Sequence, residues 1–180
     1  MKMIPLDAAY LAECFTLDKN TGALFWKTRP REHFRTQRGW RTFNSQKAGK
    51  RADVPGAPGY RCVCVNKVLL RAHRVVFAIA NGKAPDEQID HRAGLNNVPE
   101  NLRDATNGQN QLNKRGWKNS SSGVKGVYRK GSKFQVKLRA LGSRRVYVGT
   151  FSKIEDAKEA YAEAVIKYHG EWALGAQISA

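Results

Sequence analysis

Ile89-Asp90-His91-Arg92-Ala93-Gly94-Leu95-Asn96-Asn97-Val98-Pro99-Glu100-Asn101-Leu102-Arg103, with Asn110 and Asn113 following, is the stretch on which the reading of this chain turns. It gathers a carboxylate, an imidazole and several carboxamides within a short reach. A hard divalent cation takes oxygen ligands and keeps several waters, so one or two protein oxygens suffice. Asp90 supplies a charged oxygen and Asn110 a neutral one. An imidazole accepts a proton near neutral pH when a partner orients its ring; His91 is the candidate base and the side-chain carbonyl of Asn101 the candidate partner. Read alone, the same residues also describe a turn with a capping Asp, with Asn101 capping a helix, Asn96 and Asn97 shaping the turn, and Asn107 and Asn113 solvated.

The surroundings favour a polyanionic partner. The chain has 180 residues, enough for one ordinary domain or two small ones, and a formal net charge of +17. Self-repulsion on that scale needs an offsetting benefit. Nucleic acid is the first candidate. A membrane surface is the weaker one, because no apolar run is long enough to span a bilayer and no basic amphipathic helix stands out. The first residues lack the apolar core of a signal peptide. Three cysteines, Cys14, Cys62 and Cys64, include no C-x-x-C pair. They fit a reducing cytosol and argue against a structural zinc site. Cys62 and Cys64 alternate with Val63 and Val65 and read as thiols buried on one face of a strand.

Working outward along the chain, residues 6–17 read as a helix with Leu6, Tyr10, Leu11, Cys14 and Phe15 on one face. A turn at 18–22 leads to a strand at 23–27. Residues 28–53 are rich in Arg and Lys with little periodicity, and the expectation is an irregular basic segment that orders on DNA. Residues 60–65 and 67–71 flank Asn66 as a hairpin. Residues 73–81 predict a helix ended by Gly82 and Pro85. A further helix is expected from Asn101 to about Asn113. From Ala105 to Ile154 there are twelve Lys or Arg and no Asp or Glu. Ser120-Ser121-Ser122-Gly123 reads as a linker. Strands are then expected at 126–129, 133–139 and 144–151. Ser152 and Glu155 form a capping box. It opens a helix burying Ile154, Ala157, Tyr161, Ala164, Val165 and Tyr168.

On these residues the chain resembles the HNH endonucleases of the phage and intron-homing branch. The match runs through Asp90-His91, Asn101-Leu102-Arg103 and Asn110, and extends upstream through Phe25-Trp26-Lys27, Phe43-Asn44, Ala48-Gly49-Lys50, Gly59-Tyr60 and Ala72-His73-Arg74. The loop between His91 and Asn101 is shorter than the family pattern. The resemblance implies a ββα-metal site with Asp90 and Asn110 as metal ligands, His91 as general base and Asn101 positioning it. It also implies one divalent metal ion, magnesium or alternatively manganese. His73 reads either as a second site histidine or as a structural histidine at a helix start.

Ser122-Gly123-Val124-Lys125-Gly126-Val127, Lys133 to Val136, Val148 to Phe151, Ala157 to Tyr161, and His169-Gly170-Glu171 with Ala173 resemble a second family, the ethylene-response-factor-type (APETALA-type) DNA-binding domains. There a three-stranded sheet enters the major groove. The polar face of the expected sheet presents Arg129, Lys133, Gln135, Lys137, Arg139, Arg145 and Tyr147 with no carboxylate opposed to them. Arg can pair with guanine and Gln with adenine, while Lys more often takes phosphates. His169, Tyr168 and Trp172 read as structural.

The expectation is therefore an α+β protein. A ββα-metal (HNH) nuclease region with a β-rich N-terminal extension occupies 1–115, a linker 116–121, and a three-stranded antiparallel sheet packed on one helix 122–180. Its expected function is that of a metal-dependent homing nickase acting on double-stranded DNA as a monomer without an obligate protein partner. It would be phage-encoded and cytoplasmic in a bacterial host. The alternative is a non-catalytic DNA-binding regulator with a decayed HNH domain.

Overall fold

Two compact units divide the chain, Met1–Asp104 and Ala105–Ala180. The boundary falls before the expected break near residue 115. The computed structural model describes residues 6–57, 59–112, 121–141 and 144–173; Asn113 and positions 116–120 of the expected linker lie outside them. Both units mix helix and sheet, so the chain is α+β.

In the first unit, Asp7 accepts hydrogen bonds from the amides of Ala9 and Tyr10 and opens α1 (Ala8–Cys14). The helix stops at Cys14, not at residue 17, because Phe15 begins β1 (Phe15–Asp18), which pairs antiparallel with β2 (Ala23–Trp26). Asp18 closes the hairpin by accepting from the Asn20 amide and the Thr21 hydroxyl.

The segment expected to be irregular holds a helix, α2 (Gln37–Lys47), with Thr36 accepting from the Gly39 amide at its start. It has few apolar residues. Its inner side is fixed by Trp40, whose Nε1 donates to the Arg29 carbonyl (2.9 Å), and by Asn44, whose carboxamide both donates to that carbonyl and accepts from the Arg29 amide (3.0 Å each). Phe43 meets Trp26 edge-on at 5.0 Å. Arg29 itself is 3% exposed. Its guanidinium lies within 5.9 Å of the ring centroids of Tyr10, Trp26, Phe34 and Phe43 and donates to Tyr10, Asn66 and His33. A buried guanidinium held by rings and neutral acceptors ties α1, β2, α2 and the next turn together.

A three-stranded antiparallel sheet follows, β3 (Val54–Pro55), β4 (Arg61–Val65) and β5 (Val68–Arg71), with β4 central. Asn66 and Lys67 both take positive φ (49° and 66°), the two-residue turn that matches strand twist. Val63 and Val65 are buried; Cys62 is buried too, but Cys64 is exposed rather than buried with it. Asp53, 2% exposed, anchors the sheet by accepting from Arg51, Arg61 and the Leu24 amide. Burial pushes its carboxyl up, but those donors outweigh burial and hold it below the ordinary value.

Next come α3 (Ala72–Asn81), capped by Gly82 in the left-handed region, and the two-stranded sheet of β6 (Gln88–His91) and β7 (Leu102–Ala105). The expected helix from Asn101 is instead a 3-10 turn at Pro99–Asn101 and then this strand, because Leu102 and Arg103 are drawn into the buried side. Helix begins only at α4 (Asn107–Leu112). Leu11, Phe15, Leu24, Trp26, Val63, Val65, Val75, Val76, Ile89 and Leu102 share one core.

The second unit contains α4 and an antiparallel sheet in the order β10 (Arg145–Phe151), β9 (Lys133–Arg139), β8 (Val127–Lys130). Packed on it is α5 (Ile154–His169). Val127, Val136 and Ala157 form the centre, with Phe134, Val148, Phe151 and Tyr161 around them. Gly126 is required here: at φ +75°, a Cβ would lie 2.1 Å from the Tyr161 ring. The expected capping box does not form. Lys153 stands at the N-cap without a side-chain hydrogen bond. Ala157, Ala164 and Val165 are buried; Ile154, Tyr161 and Tyr168 are half-buried. At the other end of α5, His169 Nε2 donates to the Arg139 carbonyl at 2.6 Å, the structural role expected of it.

Candidate active site and nucleic-acid interface

The loop from Arg92 to Val98 is held at its base by Asn101, which is 8% exposed. Its Oδ1 accepts from the Ala93 amide (2.7 Å) and its Nδ2 donates to the Asn96 carbonyl (2.9 Å). The Arg92 amide also donates to the Asn101 carbonyl (2.8 Å). Asn101 thus closes the loop through backbone groups, and its side chain does not reach the His91 ring as the sequence suggested. Asn97 does: its Oδ1 lies 3.2 Å from His91 Nε2. A carboxamide oxygen only accepts, so this pairing places the His91 proton on Nε2 and the lone pair on Nδ1.

Asn97 is in turn supported by the N-terminal hairpin. Gly22, at φ +69°, lies so close that a Cβ there would sit 2.3 Å from the Asn97 carbonyl carbon and oxygen. Only glycine fits both the backbone angle and the approach.

His91 is half-buried. His73, in the first turn of α3, stands edge-on to it with ring centroids 5.3 Å apart. Tyr60 lies 5.7 Å from His73 and 6.3 Å from His91, under the Arg71 guanidinium. His73 Nδ1 is buried without a hydrogen-bond partner among the described residues. Burial, together with the facing His91 and the neighbouring Arg74 and Arg71, pushes its pKa down to about 4. Hence His73 is a neutral neighbour of His91 at pH 7.

Asp90 is 4% exposed and paired with Arg103, 7% exposed. Arg103 Nε and Nη2 both meet its Oδ2 at 2.9 Å. A carboxylate carries lone pairs on two oxygens, so pairing with an arginine is compatible in donor chemistry with binding a hard cation. Asn110 lies on α4 and belongs to the second unit; its amide donates to the Thr106 carbonyl at 3.0 Å. Among the described residues, no cluster of three or more His, Cys, Asp or Glu is arranged to hold a metal.

Sequence reasoning missed Asn97 and Tyr60 as neighbours of His91 and read Arg103 only as part of the motif. Adjacent carboxamides in a short loop between strands are the signal that could have marked Asn97.

On the second unit, strand register sorts the expected contact residues. Tyr128 and Thr150 flank Gln135, Tyr147 flanks Lys137, and Arg145 flanks Arg139. Lys130 opposite Lys133 completes this face. Tyr128, Gln135, Lys137, Leu138, Arg139 and Arg145 line a groove of about 550 Å³. Tyr147 is 58% exposed and Tyr128 51%. Arg129, by contrast, pairs with Phe134, so it lies on the opposite face, its guanidinium 5.7 Å from the Phe134 ring. It remains exposed, but Tyr128 and Lys130 occupy the place the sequence assigned to it.

Residues 70–112 match the family model of the HNH endonucleases. They run from the end of β5 to the end of α4 and include His73, Asp90, His91, Asn97, Asn101, Arg103 and Asn110. That segment is therefore similar to an HNH endonuclease domain, which supports a nuclease. Comparison with curated proteins and with solved structures found no match. Among the described residues, no helix is long and apolar enough to cross a membrane.

Proposed function

We propose that the chain is a metal-dependent DNA endonuclease of the HNH type. His91 is its general base, and the exposed sheet face of the second unit is a DNA contact. The observation that carries this reading is an imidazole held at one nitrogen by a carboxamide, inside the segment that matches the HNH endonucleases. With Nε2–H engaged by Asn97, Nδ1 takes a proton from water, and the water oxygen attacks phosphorus. The bond from phosphorus to the leaving oxygen then breaks. That oxygen gains a proton from solvent, and His91 returns its own to solvent. Asn101 positions the base indirectly by closing the loop.

A bound divalent cation supplies charge stabilisation at the phosphate and the leaving oxygen. Asp90 and Asn110 are the donors the sequence pattern assigns to it in a ββα-metal arrangement, and their hard oxygens suit magnesium or manganese. One such motif per chain cuts one strand per binding event, so a monomer acts as a nickase. Homing activity and phage origin rest on the family resemblance alone. The second unit, read as an APETALA-type module, presents Lys133, Gln135, Lys137, Arg139, Arg145 and Tyr147 to duplex DNA; Arg129 supports from the other face.

One observation favours a second reading. The Asp90 carboxylate is engaged by Arg103, as it would be in a decayed nuclease that only binds DNA. Supercoiled plasmid incubated with the protein and magnesium or manganese, with chelator, and with His91→Ala separates the two. Metal-dependent conversion to open circle that vanishes in the variant supports the endonuclease. Binding with no cut under any divalent metal leaves the regulator.

A further inference from the structure

A carboxylate-free basic stretch of the first unit lies outside the segment that matches the HNH endonucleases. Between Glu32 and Asp53 there is no Asp or Glu, while Arg35, Arg38, Arg41, Lys47, Lys50 and Arg51 supply six cations. All six are exposed. Most of this stretch is α2, and its helical periodicity separates two faces. Trp40, Phe43 and Asn44 point inward, fixed to the Arg29 backbone and to Trp26. Arg38, Arg41, Thr42 and Ser45 fall on the opposite side, by their three- and four-residue spacing.

Arg51 is occupied by Asp53. Arg38 and Arg41 have neither a hydrogen bond nor an ion pair among the described residues. Surface charges ordinarily alternate in sign, which limits self-repulsion. A one-signed helix face on a chain of +17 gains nothing for the fold. The helix is held by one backbone carbonyl, one amide and two rings, all on its inner side, so the outer arginines can change without touching those anchors.

We infer that the outer face of α2 is a DNA-docking site: Arg38 and Arg41 bind phosphates of duplex DNA, with Arg35 flanking them at the helix start. The inference rests on the reading of the chain as DNA-binding, not on its cleaving DNA. The arginines serve affinity rather than sequence choice, because phosphate contacts position a protein without reading bases. The nuclease unit thereby has a footprint of its own, additional to the sheet face of the second unit.

The test uses the full-length chain carrying His91→Ala, so that cleavage does not enter. Duplex binding is titrated over a range of salt with and without Arg38→Gln plus Arg41→Gln. The expected result is a loss of roughly tenfold in affinity near physiological salt and a shallower log–log salt dependence by about 0.9 per lost contact, equal on unrelated sequences. Arg38→Lys plus Arg41→Lys should retain most of the binding. Unchanged affinity and slope in a variant whose thermal unfolding matches the parent would overturn the inference. So would a loss confined to one sequence, or one seen on RNA but not on duplex DNA. If α2 fails this test while the parent still nicks plasmid, the endonuclease stands without the α2 site. If the test succeeds and no cut is ever found, only the endonuclease reading falls.

Discussion

Arg103 donates from Nε to Oδ2 of Asp90 at 2.9 Å, and its Nη2 lies 2.9 Å from the same oxygen as an ion pair, with both side chains less than a tenth exposed. The pair joins the last strand before the loop, β6, to the first strand after it, β7. Removing one member strands the other charge in a dry environment. Arg103→Leu is expected to lower unfolding free energy by about 3–5 kcal/mol, read from the urea midpoint. The double variant Asp90→Leu plus Arg103→Leu should recover much of that stability while having no cleavage activity.

Asn97→Ala removes the acceptor at His91 Nε2 without removing the base. Under the proposed mechanism, the cleavage rate at saturating DNA falls, by about ten- to hundredfold for a lost orienting group, while duplex affinity holds. Single-turnover plasmid nicking with a parallel binding titration separates the two quantities. Equal rates in parent and variant would show that the loop itself, through Asn101, suffices to orient the ring.

Gly22→Ala faces two penalties, a positive φ and a collision with the Asn97 carbonyl. The backbone angle alone costs about 1–2 kcal/mol. The collision displaces the loop that carries His91's partner. The measured outcome is a lower melting temperature together with slower nicking, although residue 22 lies far from the motif in sequence.

His73 makes stability acid-sensitive. Its pKa in the fold is about 4 against 6.5 for an ordinary histidine, so the unfolded chain takes up a proton first as pH falls. The stabilisation is complete above pH 6.5, is lost progressively down to about 4, and stays constant below. His169, also lowered chiefly by burial, adds a term of the same sign. The slope of unfolding free energy against pH between 6.5 and 4 should be shallower in His73→Gln than in the parent.

The sheet register distinguishes the basic residues of the second unit. Lys137→Ala, Arg139→Ala and Arg145→Ala should each weaken duplex binding and reduce the log–log salt slope by about 0.9. Arg129→Ala, on the Phe134 side, should change both by less. Binding isotherms at several salt concentrations decide, and an Arg129 effect as large as that of Lys137 would reject the division of faces.

Much of the second unit was legible in the sequence. Lys133 to Arg139 alternate polar and apolar residues, and α5 repeats its small and apolar residues every three or four positions. Val127 to Lys130 offers one apolar residue followed by three polar ones, so nothing local says which face Arg129 takes; the pairing with β9 decides it. In α2, Gly39, Thr42, Asn44 and Ser45 weaken the helical signal, and the helix exists through contacts with Arg29, residues away in sequence. Asp90, His91, Asn101 and Asn110 could be singled out as chemistry. Which carboxamide meets His91 could not, because that follows from how the loop folds over the Gly22 turn. The Asp90–Arg103 pair needed the strand pairing of β6 and β7.

The shared core of the first unit sets a limit on dissection. Val75, Val76, Ile89 and Leu102, from the segment that matches the HNH endonucleases, are buried with Leu11, Phe15, Leu24 and Trp26 from the chain before it. That match marks a chemical signature, not an autonomous folding unit. A peptide cut to residues 70–112 would leave those side chains in water and His91 without the buttress at Gly22. Any fragment intended to retain the site must begin at α1.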